Sequence, residues 1–364
     1  MDRPVKGRDR VIPIQNIYYM LSYAFQALSE QGYRDLAFEP YHHVADLCAA
    51  ILSKGIAIQV KRGLHREYRL QTDALSSPRG RIELSDSIRT KSKMRGQLVC
   101  TYDDFSVDND LNRVLKTTIL FLLRSKIDTE RKKALRRVLV FFEGVQTLPI
   151  RSIRWNIQYN RNNQTYRMLI GICQMVMQGL LQTTEDGSVR LMDFLDEQHM
   201  HKLYEKFIFQ YYYQEFSILT VRAPRILWAA SGASLARLPA MQSDVVLSHN
   251  GRILIIDAKY YARTMQMHFD KPTIHSHNLY QIFTYVKNEQ ANQPQKQVSG
   301  MLLYARTDEE TQPDEIYQMS GNQISVRTLD LNRDFAQIAA QLDEIVQTHF
   351  GIQKAHEKQT VYAQ

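Results

Sequence analysis

Cysteine is scarce, with three in 364 residues at positions 48, 100 and 173. An odd number, set far apart, builds neither a disulfide framework nor a metal motif, which fits a reducing cytoplasm. Long apolar runs are missing too. TTILFLL is closed by Lys116 and Arg124, and VLVFF by Arg137 and Glu143, all well short of a membrane span. The opening MDRPVKGRDR is charged and leads into no apolar core with a cleavage site, so it does not read as a signal peptide. It reads as a tail of residues 1–10, with a second tail expected over 351–364. No G-x-S-x-G, Walker A loop or G-x-G-x-x-G occurs, so the chain has no phosphate cradle of its own. Internal repeats and low-complexity tracts are absent as well.

What is present is an ordinary globular composition, 44% hydrophobic and 23% charged. At this length two domains are expected. The net charge of +8 permits nucleic-acid binding without requiring it. IQNIYYMLSYAFQAL predicts a helix whose Tyr18, Tyr19, Tyr23 and Phe25 suit a buried face better than a base-stacking platform. HHVADLCAAILSKGI predicts a second helix. AIQVKRG and REYRLQTD read as strands around Gly63, followed by a loop at SSPRG and by strand-like RIEL and GQLVCTYDDFS. Helical spacing returns through NRVLKTTILFLLRSK, TERKKALRRVLVFFEGV and MLIGICQMVMQGLL. The basic run RKKALRR alternates with an apolar side, which marks a solvated helix face more readily than a phosphate contact. TTEDGSVRL, a polar turn with Gly187, marks a domain border near residue 190.

The chemistry is concentrated in MQSDVVLSHNGRILIIDAKYY, residues 241–261. RILIIDAKYY is an apolar run of strand length, and Asn250-Gly251 is a strong hairpin signal. Asp244 leads into the first strand, while Ile253–Ile256 run into Asp257, Ala258 and Lys259 in the second. Alternation places Asp257 and Lys259 on one face and Ala258 on the other. Desolvated charges there need a partner or a metal. An ion pair among Asp244, Asp257 and Lys259 meets that need. So does a phosphodiesterase site, where two carboxylates hold a hard divalent cation and the lysine offsets charge at the phosphate or helps a water. Upstream, HMHKLYEKFIFQYYYQEF predicts an amphipathic helix carrying Glu205. Downstream, HSHNLYQIFTYVKNE predicts another, with Gln281 and Tyr285 four apart on one face. His275 and His277 form an H-x-H, but no cysteine lies near and the carboxylates already make a hard-ligand set, which argues against zinc.

This order of helix with Glu, strand with Asp, hairpin, strand with Asp-x-Lys and helix with Gln-x-x-x-Tyr resembles the PD-(D/E)XK nuclease superfamily. VIPIQNIYYMLSYAF (11–25), LSKGIAIQVKRGLHREY (52–68), SSPRGRIEL (76–84), and IIDAKYY followed by HSHNLYQIFTY narrow it. Over about residues 11–305 the chain is similar to the McrC family, endonuclease subunits of the McrBC system that restricts DNA containing modified cytosine.

The resemblance implies an α/β (α+β) protein in two parts. Residues 11–190 would be a mixed helix and strand domain that binds a motor and stimulates its GTPase, with a strand-rich insert over about 56–107 entering the motor's pore. Residues 191–350 would be the nuclease domain, a central mixed sheet flanked by helices. The implied partner is the AAA+ GTPase McrB hexamer, which would supply the energy and read the modified base. The implied substrate is double-stranded DNA, held mainly through its phosphates. Mg²⁺ would sit on Asp244 and Asp257, with the Ala258 backbone carbonyl as a further ligand, and Lys259 near the attacking water. Glu205 falls where the superfamily often has an accessory acid, and Gln281 and Tyr285 would support the lysine or orient DNA. The resemblance also implies a cytoplasmic protein without a membrane partner, and leaves open whether two complexes must pair to cut both strands. Two other readings stand beside it. An autonomous repair or recombination nuclease fits the large amino-terminal region poorly, and a non-catalytic regulator of an AAA+ motor has no use for three intact charges.

Overall fold

A computed structural model describes residues 12–29, 32–161, 163–183, 189–191, 196–232, 235–268 and 271–354. The tail at 1–10, residues 355–364 of the second tail and the turn at Gly187 lie outside the described residues. Residues 351–354 of that second tail are described, with Gly351 closing a helix in left-handed conformation and Lys354 paired to Glu215 at 2.6 Å.

The chain divides into two compact bodies. His43–Asp193 form one, and the stretches before and after it together form the other. Residues 11–42 therefore do not belong with the stretch up to 190, as the sequence reading had it. The reason lies on helix α1 (Ile14–Ala24). Its buried Asn16 donates to the carbonyls of Leu331 and Arg333 at 2.7 and 2.8 Å. Tyr19 and Tyr23 pack against Phe335, and Tyr23 also against Phe207. The tyrosine stripe is core, as its spacing predicts, with Tyr18, Tyr19 and Tyr23 all buried.

In the inserted body, α2 (Val44–Arg62) buries Leu47, Cys48, Ile51, Leu52 and Ile56. AIQVKRG is thus not a strand. It continues α2 because its Gln59 falls in helical phase with the buried Leu52 and Ile56, and packing overrides the β-preference of Ile58 and Val60. The helix ends only at Gly63, whose φ of +88° suits glycine, behind Lys61 and Arg62, whose charges suit the carboxyl end of the helix dipole. The strand-rich stretch accordingly starts at Glu67 rather than at 56. Strands β1 (Glu67–Leu75), β2 (Arg81–Ile82) and β3 (Leu98–Ser106) form an antiparallel sheet of order β1-β3-β2, paired from Glu67↔Ser106 to Leu75↔Leu98. Helices α3 (Asp110–Arg124), α4 (Thr129–Leu139) and α5 (Tyr166–Gln174) complete the helical core with α2. On α4, Leu135 is buried while Lys133, Arg136 and Arg137 are exposed, the solvated basic face expected of RKKALRR.

The second body is built on a six-stranded mixed sheet. Its elements are α6 (Glu197–Glu215), β4 (Thr220–Arg222), β5 (Val245–His249), β6 (Arg252–Lys259), α7 (Ser276–Asn292), β7 (Gln297–Ala305), β8 (Glu315–Met319), β9 (Asn322–Leu329) and α8 (Phe335–Phe350). The order is β8-β9-β7-β6-β5-β4. β5 and β6 form the hairpin read from the sequence. His249 pairs with Arg252 across Asn250 and Gly251, whose φ angles of +45° and +77° are those of a tight two-residue turn. β6 and β7 are parallel, joined through α7. One face of the sheet packs Ile253, Ile255, Val298 and Leu302 against Ile282, Tyr285 and Val286 of α7. α7 lies unusually close at Gly300 of β7, where a Cβ would come within 2.7 Å of Val286 and 2.8 Å of Ile282. The other face meets α6, where the buried Tyr204 hydroxyl donates to the Leu303 carbonyl. Among the described residues no helix is long and apolar enough to cross a membrane.

Candidate active site

The site forms where β6 outruns its hairpin partner. Pairing with β5 stops at Ile256↔Val245, whereas β6 continues to Lys259. Beyond that point the Ala258 N–H no longer has a strand carbonyl from β5. It donates instead to Asp244 Oδ2 at 2.9 Å, so the carboxylate takes the place of a ladder bond. Asp257 and Lys259 point to the α7 face, both buried, with Lys259 Nζ 2.8 Å from Asp257 Oδ2. Lys259 Nζ also donates to Gln281 Oε1 at 3.3 Å. Gln281 Nε2 donates to the Tyr285 hydroxyl at 2.9 Å, and that hydroxyl donates to the Gln242 carbonyl at 3.1 Å. The helical spacing of Gln281 and Tyr285 thus becomes a chain of hydrogen bonds from β6 across α7 to the residue two before Asp244.

Burial dominates the electrostatics. It pushes the Asp244 carboxyl up to about 7, with the charges of Asp257 and Glu205 adding to the effect. Burial likewise raises Asp257, against the pull of Lys259. Burial would lower Lys259, but the facing carboxylates, Asp257 first, outweigh it and hold the lysine above its ordinary value. A lysine acting as general base needs the opposite shift. Glu205 reaches the same centre from α6, since its charge acts on both aspartates.

One buried oxygen rests on a single ion-pair partner. Asp257 Oδ2 is close to the lysine, yet no hydrogen-bond donor is aligned on it. Buried polar atoms without an aligned donor are rare. Among the described residues no three His, Cys, Asp or Glu side chains converge into a ready ligand set. The donors present are two carboxylates and a backbone carbonyl, all oxygen. That set fits a small hard cation that keeps part of its water shell, and it does not fit zinc. His275 lies at the start of α7 and stacks edge-on with His277, the ring centroids 5.9 Å apart.

A family model for the McrBC 5-methylcytosine restriction system component matches residues 7–305. The chain belongs to this McrBC family. It is 28% identical over 341 residues to the type IV methyl-directed restriction enzyme EcoKMcrBC of Escherichia coli (strain K12), across 92% of this chain and 97% of that protein. Among solved structures it is similar to the refined half-complex from the tetradecameric assembly of Thermococcus gammatolerans McrB AAA+ hexamers with bound McrC. That likeness has a TM-score of 0.50 at 18% identity and covers 92% of this chain and 76% of that one. A cryo-EM structure of the Thermococcus gammatolerans McrBC complex is also similar, at 21% identity and a TM-score of 0.40, over 56% of this chain and 59% of that one. At 18% identity the first of these two likenesses speaks for the fold alone.

In this McrBC-family chain every residue singled out from the sequence, Asp244, Asp257, Ala258, Lys259, Gln281, Tyr285 and Glu205, falls in or beside one cluster. Two participants escaped the sequence reading. Gln242 enters only through its backbone carbonyl, which leaves no signature in residue type. His201 pairs with Glu205, its Nδ1 2.9 Å from the carboxylate, and this pairing raises the imidazole while burial opposes it. The signal was there, a His and a Glu four apart on one helix face.

Proposed function

We propose that this chain is the Mg²⁺-dependent nuclease subunit of a GTP-driven restriction complex that cuts DNA containing modified cytosine, with a PD-(D/E)XK-type site at the end of β6. The observation that carries this reading is the pair of buried carboxyls, Asp244 on the Ala258 N–H and Asp257 on Lys259, gathered around a single ammonium. A purely structural ion pair gains nothing from a second buried carboxyl. Asp244, Asp257 and the Ala258 carbonyl would hold Mg²⁺, which supplies positive charge at the scissile phosphate and makes a water more acidic. Lys259, as an ammonium, offsets charge on the phosphate. Gln281 fixes the lysine, and Tyr285 fixes Gln281 against the Gln242 carbonyl.

With no Walker loop in the chain, GTP hydrolysis falls to a partner, for which an McrB AAA+ hexamer like that of the archaeal neighbour is the natural choice. The β1–β3 sheet leaves Tyr68, Leu70 and Phe105 exposed. An exposed apolar patch of this kind suits a protein contact. We assign this sheet, residues 67–106, to insertion in the partner's pore and stimulation of its GTPase. Glu67 and Ser106 lie opposite each other, so residues 68–105 can be excised and closed with a short glycine linker. Excision is expected to abolish stimulation, and unaltered stimulation overturns the assignment.

The decisive experiment mixes the protein with its AAA+ partner, GTP, Mg²⁺ and plasmid carrying or lacking modified cytosine, with wild type beside Asp257→Ala. Loss of cutting with GTPase stimulation retained assigns the chemistry to Asp257. If the variant cuts like wild type, the cluster is only an ion pair and the nuclease reading fails.

A further inference from the structure

The roles above use the α7 side of the site and leave the α6 side idle. There His201 and Glu205 share a helix face, and their side chains keep 24% and 34% exposure, so the pair is neither core nor open surface. The imidazole interacts electrostatically with Lys259 and Asp244, and Glu205 with Asp244 and Asp257. Tyr261, two residues past Lys259, meets the imidazole edge to face, with centroids 6.1 Å apart and planes at 70°. Nδ1 is taken by Glu205, and among the described residues Nε2 has no partner. Lys259, meanwhile, is engaged by Asp257 and Gln281 on the α7 side. A phosphodiester entering the cluster therefore meets a cation on one side, while the α6 side offers Asp244 and Glu205, both repulsive, and the free edge of His201.

We infer that His201, as an imidazolium, contacts the scissile phosphodiester: Nδ1–H donates to Glu205, which fixes the ring, and Nε2–H donates to a non-bridging phosphate oxygen. This rests on the nuclease reading above. A carboxylate behind an imidazole holds its orientation and, as an opposite charge, favours the doubly protonated ring that has an N–H to give on each side. Glu205 is then a positioning residue that acts through His201, and it need not touch the substrate.

The two ring nitrogens can be tested separately, because the amide nitrogen of Gln reaches the position of Nε2 and that of Asn the position of Nδ1. Cleavage is measured in the reconstituted complex with its AAA+ partner, GTP, Mg²⁺ and modified plasmid, and each variant's melting temperature reports its folding. His201→Ala is expected to slow cleavage about ten- to a hundredfold, the worth of one hydrogen bond to a charged group. His201→Gln should recover most of that loss and His201→Asn little. Glu205→Ala should lose about as much as His201→Ala, and the double variant no more than either. Recovery by Asn but not Gln, additive losses, or full activity in all variants overturns the inference. Asp257→Ala run alongside separates the two claims. If it still cuts, the nuclease reading falls and this inference with it; if it is dead beside a fully active His201→Ala, only the inference falls.

Discussion

Gly300→Ala tests whether the close seating of α7 on the sheet is what orients the site. Gly300 has no left-handed backbone, so glycine is there for space alone. An added Cβ would meet Val286 Cγ2 at 2.7 Å, Ile282 Cγ1 at 2.8 Å and Ile324 Cδ1 at 3.0 Å, where ordinary contact begins near 3.4 Å. Val286 and Ile282 are branched core side chains on α7, so relief of the two closest contacts comes from α7 moving off β7 by about 0.7 Å. Gln281 sits next to Ile282 on that helix, and its bond from Lys259 is already long at 3.3 Å. A shift of that size breaks the bond.

Overpacking of this kind costs about 1–3 kcal/mol, and the smaller entropy of the unfolded alanine chain returns about 0.5–1 kcal/mol. A net loss of up to about 2.5 kcal/mol, and about 1 kcal/mol at mid-range, lowers the melting temperature by a few degrees, at roughly 2–4 °C per kcal/mol for a body of this size. Thermal melting and plasmid cleavage well below the melting temperature are the assays. Cleavage should fall further than the fraction unfolded accounts for, with GTPase stimulation unchanged. A variant as stable as wild type refutes the packing step; a destabilised variant that cuts at the wild-type rate refutes the link from α7 seating to Lys259.

Two further outcomes are expected. Asn16→Ala leaves the carbonyls of Leu331 and Arg333 without their donor and should lower stability by about 1–3 kcal/mol; a loss within error on thermal melting overturns the account of why α1 belongs to the sheet-bearing body. Asp244 is an acid whose folded value, about 7, lies above its ordinary 3.8. Its contribution to the stability of metal-free protein is therefore fully present below pH 3.8 and is lost as pH rises to about 7. Asp244→Asn, which still accepts from the Ala258 N–H, should flatten that stretch of a melting profile taken in chelator, and an unchanged profile refutes the assignment.

The sheet-bearing body was legible where local rules act alone. Asn250-Gly251 demanded a two-residue turn with positive φ at both positions, and strand alternation put Asp257 and Lys259 on one face without any knowledge of the neighbours. Gln281 and Tyr285 were legible for the same reason, since helical spacing alone aligns them. Two readings failed where a distant contact decides. AIQVKRG has the branched residues of a strand, but the buried side of α2 runs on from Ile56 to Gln59 and carries the helix to Gly63. Residues 11–42 sit next in sequence to the inserted body, yet Asn16 finds its carbonyls more than 300 residues away. No spacing rule reports a partner at that range.

The same limit explains why the aspartate pair could be found but not decided from sequence. Composition says only that Asp257 and Lys259 are charged, and an ion pair satisfies that as well as a cation does. What bears on the choice is desolvation, and desolvation comes from elsewhere: Ile253 and Ile255 below, Ile282 and Tyr285 on α7, Val298 and Leu302 on β7. With β5 ending at Val245, Asp244 is free to replace a ladder bond at Ala258 and so comes to stand beside Asp257. Two carboxylates that burial raises in a common cluster, facing one fully engaged lysine, form an arrangement a fold does not need for its own stability. Such conflicts between local stability and global fold gather at functional sites. The carboxyl end of β6, where one neighbour stops and the parallel one continues, is the part of the sheet where such a site has room to open.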